Sequence, residues 1–317
     1  MGKGEISIHK KKGKMSKRQK RLTKWGIIFA IPWLLGFLCF QLYPICVAVY
    51  HSLCEYNIFK TEIFIGFENY RNLFNDPLFW KSVGNTLYVT AVGLPLSLVV
   101  ALLLAMLLSR DVKGISVFRT IYYLPTIVPV VASAALFLWV LNSQYGIVNS
   151  FLAVFGIRGP SWLTSAKWTK FSLILMDTWR CGGMMVIFLS AIKAVPHEFY
   201  EAAKIDGAGP VKSFFGITLP QISPTIQFNF IIGLISYFQY FTQAYVFTGV
   251  MEFNNSTSMS GPKNSLLFYS IYLYKNAFIN LKMGYACAMA IILFIVVAFV
   301  SFLAIRISNS KVSYDVE

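Results

Sequence analysis

Six apolar stretches recur along this chain, roughly Trp25 to Tyr50, Gly84 to Leu108, Phe118 to Leu141, Phe171 to Ile192, Thr225 to Gly249 and Gly284 to Ile307. Each is long enough to cross a hydrocarbon layer of about 30 Å as a helix. In hydrocarbon every backbone polar group must find its partner within the protein, so such runs predict helices packed on one another. Composition agrees: with 56% hydrophobic residues, 13% charged residues and a mean hydropathy of +0.61 over 317 residues, the chain has too little polar surface to cover a soluble globule. The expectation is an all-α integral membrane protein with six transmembrane helices. Pro95, Pro125 and Pro129 lie inside the apolar stretches, where a packed bundle tolerates them.

A net charge of +15 raises the question of nucleic acid, but its placement answers otherwise. Lys10, Lys11, Lys12, Lys17, Arg18, Lys20 and Arg21 crowd just before the first apolar stretch. A basic block there sets the N-terminus on the cytoplasmic side, and six crossings return the C-terminus to the same side. About eighteen Lys and Arg then fall in cytoplasmic segments and about nine in external ones, the bias expected of this orientation. The chain divides into a basic cytoplasmic tail (1–24), a six-span domain (25–307) and a short cytoplasmic tail (308–317). No nucleic-acid partner is expected; the lipid bilayer is. The first apolar stretch is too long for a signal peptide and lacks a small-residue cleavage site, so it should stay attached.

Enzyme chemistry has no foothold. There is no G-x-x-x-x-G-K-[ST] phosphate loop, the Gly13-Lys14 pair being followed by Met15. Cys39, Cys46, Cys54, Cys181 and Cys287 are scattered, as are His9, His51 and His197, so neither a disulfide framework nor a metal site is indicated.

The polar stretch at 194–221, between the fourth and fifth spans, is built unlike an ordinary connection. Pro196 suits a helix start, and Glu198 and Glu201 complement its positive end. Gly207 and Gly209 permit a turn before a second short helix, around Val211 to Ile217, which Pro220 is expected to stop. The spacing of Glu201-Ala202-Ala203, Asp206-Gly207, Ile217 and Leu219-Pro220 resembles the signature loop of permease subunits in binding-protein-dependent ABC importers. Further residues point to the sugar-permease, maltose and oligosaccharide branch. These are Tyr123-Leu124-Pro125, Pro129, Trp139, Tyr145-Gly146-Ile147-Val148-Asn149, Trp162-Leu163, the approach Val195 to Tyr200, Gly261-Pro262, Tyr274 to Phe278 and Gly284-Tyr285-Ala286.

The resemblance implies a type I ABC importer permease fold with a cytoplasmic coupling helix, in a bacterial cytoplasmic membrane. It implies a second permease subunit, a dimer of ATPase subunits that bind ATP and Mg, an external solute-binding lipoprotein and a sugar substrate. This chain would hold no cofactor and catalyse nothing itself. Glu201, Ala202, Ala203, Asp206, Gly207, Ile217, Leu219 and Pro220 become the ATPase-coupling residues, with Glu201 anchoring the loop either to the ATPase or to its own second helix. A solvated charge at a helix start is the plainer alternative for Glu201.

Charged groups inside spans are costly and therefore informative. Asp177 and Arg180 would lie roughly 9 and 13 Å deep on the fourth span, and their spacing lets them pair on one helix face. Beside Trp179 and the Gly182-Gly183 break they would either face a wet cavity or lock this helix to a partner subunit. On the fifth span Asn229, Ser236, Tyr237, Gln239, Tyr240, Thr242 and Gln243 mix polar and aromatic groups as sugar sites do. The resemblance places Trp179, Gly183, Ser236, Tyr237, Gln239 and Tyr240 near the pathway; Asp177, Arg180 and Gln243 complete the candidate set. Such polar groups also bind neighbouring helices. Arg180-Cys181 departs from the smaller residues common in this branch, which leaves open an anionic or larger substrate. Glycerol phosphate or a polyamine is the alternative cargo, and an ion-coupled transporter using Asp177 the alternative class.

Overall fold

The computed structural model describes residues 16–59, 61–110, 112–252 and 260–309. The basic residues before 16 and the C-terminal tail from 310 lie outside the described residues. Among the described residues sixteen α-helices follow one another: α1 (Lys17–Phe37), α2 (Tyr43–Ser52), α3 (Glu68–Phe74), α4 (Pro77–Leu108), α5 (Ile115–Ile127), α6 (Val130–Val140), α7 (Ile147–Val154), α8 (Thr169–Trp179), α9 (Gly182–Ala194), α10 (His197–Ile205), α11 (Pro210–Ser213), α12 (Leu219–Gln221), α13 (Ser223–Phe238), α14 (Thr242–Glu252), α15 (Tyr269–Tyr274) and α16 (Met283–Asn309). A two-residue antiparallel pair, β1 (Cys54–Glu55) with β2 (Ile63–Phe64), is the one sheet among them.

The chain divides into two units, Met1–Tyr50 and His51–Glu317. In the first, α1 carries Pro32 and runs through one wide π turn at Leu38–Leu42 into α2. Its apolar residues, Trp33, Phe29 and Phe40 among them, face outward as a lipid-facing helix requires.

In the second unit α4 is the central post. Asp76 caps it, accepting the Leu78 N–H at 2.8 Å, and Pro77 occupies the first turn, where a missing N–H costs nothing. Along α4 a stripe of small residues is buried: Ser82, Thr86, Thr90, Gly93, Ser97, Ala101 and Ala105. Small side chains at helical spacing let neighbouring helices come close, and α8, α9, α13 and α15 all pack on α4. Toward the N-terminal end of α4, Asn85 donates to the carbonyls of Asn264 and Leu267 at 2.8 and 2.9 Å, and Thr86 accepts the Tyr269 N–H at 2.9 Å. These bonds satisfy an irregular segment that would otherwise carry bare backbone.

Among the described residues four helices are long and apolar enough to cross a membrane, and the number reaches six if each of two bent pairs counts as one span. The third apolar stretch, expected as one helix, is two: α5 and α6 meet at 100°. Val128 is extended, as a residue before proline prefers, and Pro129 brings no N–H to continue the ladder. The fourth bends by 43° between α8 and α9. The fifth loses its helical ladder at Gln239–Phe241, between α13 and α14.

Candidate functional site

Two regions carry the candidate residues: the loop that leaves the membrane after α9, and the level at which the third, fourth and fifth spans break.

In the loop, Pro196 precedes α10 in extended geometry, with φ −57° and ψ 135°, and Glu198 sits in the first turn. The end of α10 is a Schellman turn. Gly207 adopts φ +71°, the Gly207 N–H reaches the Lys204 carbonyl at 3.1 Å and the Ala208 N–H reaches the Ala203 carbonyl at 2.8 Å. Two orphan carbonyls are satisfied at the cost of a left-handed residue, which glycine adopts without strain. The expected turn at Gly207 is therefore present, with Ala203 and Asp206 inside it.

The second helix differs from its expected form. It begins as α11, widens into a π turn at Phe214–Thr218 and continues as α12, with Pro220 inside rather than at its end. The Leu219 N–H bonds to the Phe214 carbonyl, and this shift absorbs the N–H that Pro220 lacks. Ile217 is half-buried there and Leu219 likewise.

Glu201 does not tie the two helices. It is exposed, and its carboxylate meets His197 Nδ1 at 3.2 Å on the same helix. The tie is Tyr200, whose hydroxyl shares a 2.9 Å hydrogen bond with Thr218 Oγ1. Sequence reasoning missed this pair, since neither residue belongs to the spacing that marks the loop. Apolar side chains also stand out from the loop: Ile205 is 87% exposed, Val211 71% and Phe215, its ring edge-on to that of Phe214, 62%.

At the level of the breaks, Asp177 and Arg180 do not pair, although their spacing allows it. Asp177 accepts the Tyr240 hydroxyl at 2.7 Å and Gln243 Nε2 at 3.5 Å. Arg180 instead donates to the Val128 carbonyl at 3.2 Å. For Arg180 the reason lies in the helix ends: the break in the third span frees the Val128 carbonyl, which needs a partner, while Asp177 is held by side chains at the break in the fifth. Asp177 thus fastens the fourth span to the break in the fifth, in which Tyr240 itself sits, and Arg180 fastens it to the break in the third.

The other candidates separate by exposure. Tyr237 is buried, sharing a 3.1 Å hydrogen bond with Ser97, and its ring lies stacked near that of Tyr240 at 5.9 Å. Ser236 and Gln239 are exposed on the same span, and Gly183 is half-buried at the start of α9. Trp179 is 43% exposed, its ring 5.5 Å from that of Phe137. An exposed indole ring offers a stacking face and an N–H donor.

Fold and site together define a polytopic helical membrane protein with broken central spans and a rigid paired-helix loop outside them. The chain belongs to the binding-protein-dependent transport system inner membrane components, whose family model matches residues 89–314. It is 35% identical to the probable ABC transporter permease protein YesP of Bacillus subtilis (strain 168), over 92% of each chain. It is 33% identical to the lactose transport system permease protein LacF of Rhizobium radiobacter, over 88% of this chain and 92% of that one. Among solved structures it resembles a subunit of a bacterial alginate ABC transporter in complex with an alginate pentasaccharide-bound periplasmic protein. There the TM-score is 0.81 at 23% identity, over 95% of this chain and 100% of the other. That likeness establishes the type I ABC importer permease fold.

Proposed function

We propose that this chain is one of two permease subunits in an ATP-driven importer for an oligosaccharide or related sugar, delivered by an external binding protein. The observation that carries the reading is the loop from α10 to α12. It is stiffened by a Schellman turn and by the Tyr200–Thr218 bond, and it presents Ile205, Val211 and Phe215 outward. Apolar side chains exposed on an ordered loop call for a partner that covers them, and a separate ATPase dimer that binds ATP and Mg is that partner. Glu201, Ala202, Ala203, Asp206, Gly207, Ile217, Leu219 and Pro220 shape this coupling element. Both termini and the loop face the cytoplasm, in keeping with the basic segment ahead of α1.

The substrate reading rests on membership of this family, on a relative named for lactose, and on the chemistry at the breaks. Trp179, Gly183, Ser236 and Gln239 are the groups placed to meet sugar, while Asp177, Tyr237, Tyr240 and Gln243 hold the framework beneath them. Broken helices that meet inside a membrane are where transporters place their cargo. Arg180 is engaged by a carbonyl and Asp177 by a phenol and an amide. Both Asp177 oxygens and one Arg180 N–H therefore already have partners within the chain.

The test is gentle purification of the tagged chain from its native membrane, with mass spectrometry of what co-purifies, before and after Glu201→Ala and Gly207→Val. An ATPase and a second permease are expected with the intact chain, and the ATPase is expected to be lost from the variants. Recovery of the chain alone under several mild conditions would overturn the reading and favour ion-coupled transport.

A further inference from the structure

The breaks in the third and fourth spans satisfy one another. The Thr126 hydroxyl, one residue before α5 ends, donates to the Arg180 carbonyl at 3.2 Å and accepts the Gly183 N–H at 3.1 Å. The Arg180 guanidinium closes the loop by donating to the Val128 carbonyl at 3.2 Å. One hydroxyl thus serves an orphan acceptor from the end of α8 and an orphan donor from the start of α9, and one guanidinium serves an orphan acceptor at the bend between α5 and α6. Gly182 lets the two breaks meet: a Cβ there would run into the Tyr122 carbonyl oxygen and crowd the Tyr123 Cα.

Position makes the arrangement more than local repair. From this point α9 runs Gly182–Ala194 and leads, through Val195 and Pro196, directly into α10. Its inner half is gripped by α4, where Met185, Phe188 and Leu189 pack against Ala101, Ala105 and Leu108, and α5 packs along it. Beyond the junction, α6 packs against α14. A displacement of α10 therefore enters the bundle along α9, and at the start of that helix Thr126 and Arg180 join it to the third span. Such directional bonds, partly buried here, hold geometry more firmly than apolar contacts that slide.

We propose that Thr126 and Arg180 form a clasp that makes the third and fourth spans move as one body at their breaks, passing motion of the α10 loop to the third span. Both are positioning residues for transport, and Arg180 serves the backbone, not the cargo. The proposal rests on the reading of this chain as an ATP-driven importer subunit.

The experiment uses the complete transporter in nanodiscs. ATP hydrolysis and sugar transport are followed for wild type, Thr126→Val, Arg180→Met, Arg180→Lys and the double variant Thr126→Val/Arg180→Met. Each single loss of a clasp bond is expected to leave hydrolysis within about twofold and to lower transport about tenfold, a change of about 1.4 kcal/mol. The double variant is expected to be little worse than either single one, because both open the same clasp. Arg180→Lys, which still offers a cationic donor, is expected to recover much of the transport. Independent, additive losses, or transport at the wild-type rate in Thr126→Val, would overturn the clasp.

A second measurement does not depend on the variants folding well. Spin labels at the exposed positions Ile121 on α5 and Val186 on α9 should keep their separation to within about 2 Å between nucleotide-free and ATP-trapped wild type, as rigid-body motion requires. A larger change in wild type would overturn the proposal. Absence of any ATP-driven transport by the wild-type complex would sink the importer reading instead, and with it the proposal that rests on it.

Discussion

Asp76 concentrates several duties in one carboxylate. It accepts the Leu78 N–H at the start of α4, the Tyr285 hydroxyl at 2.8 Å and the Tyr272 hydroxyl. Burial works to raise its pKa, but the two phenols and the N–H groups of Leu78 and Phe79 outweigh it and hold the carboxyl below its ordinary 3.8; burial and the same carboxylate push Tyr272 up to about 12. A carboxyl depressed in the folded state stabilises the fold fully above pH 3.8, and that contribution is lost as pH falls through the depressed value. Asp76→Asn is therefore expected to lower the thermal midpoint at pH 7, with the gap from wild type closing as pH falls below 3.8 and through the depressed value. A gap of constant size across that range would show that the charge is not what matters. The capping role was not read from the sequence, since Asp76-Pro77 lies ahead of the apolar stretch that marked the second span. Asp177 and Arg180 were recognised as important, yet their partners were misread. A spacing of three residues predicts a neighbour only while the helix is intact, and here the helix ends at Trp179.

At the scale of elements, the loop after α9 was the most legible part of the chain because its signals are local. A glycine with φ +71° at the end of a short helix leaves a mark in the sequence that tertiary contacts do not erase. Gly207→Val puts a branched side chain into a left-handed conformation, at a cost of about 1–2 kcal/mol. The Schellman bonds from Gly207 and Ala208 should open first. Hydrogen exchange at 203–208 is expected to quicken about tenfold, while the amides of α4 and α16 stay protected, and transport should fall as the ATPase is lost. Unchanged exchange at these amides would mean that the turn carries no stored preference. The second helix was less legible. Pro220 was expected to end a helix, but the π turn at Phe214–Thr218 shifts the ladder before the proline arrives. The bend in the third span was missed for a related reason: hydropathy counts apolar residues across Val128-Pro129 without registering that the backbone turns by 100° there.

For the molecule as a whole, the six apolar stretches foretold the number of candidate crossings but not that three of them break where they meet. Convergence of the breaks depends on long-range pairs, Thr126 with Arg180 and Asp177 with Tyr240, which no window of sequence contains. The same arrangement predicts sidedness. The loop carrying Ile205 joins the fourth and fifth spans, whereas α7, carrying Val154, joins the third and fourth, so the two lie on opposite sides of the membrane. Both residues are at least 80% exposed, so a thiol at either position is open to reagent from its own side. With the five native cysteines replaced, Val154→Cys is expected to react in intact cells with a membrane-impermeant maleimide, and Ile205→Cys only after the membrane is opened. Adding the ATPase subunits with ATP should slow labelling of Ile205→Cys severalfold and leave Val154→Cys unchanged, because only the former lies in the proposed contact. Labelling of Ile205→Cys in intact cells would reverse the topology and remove the loop from reach of any cytoplasmic ATPase. Unprotected labelling in the assembled complex would keep the topology but move the ATPase contact away from the end of α10.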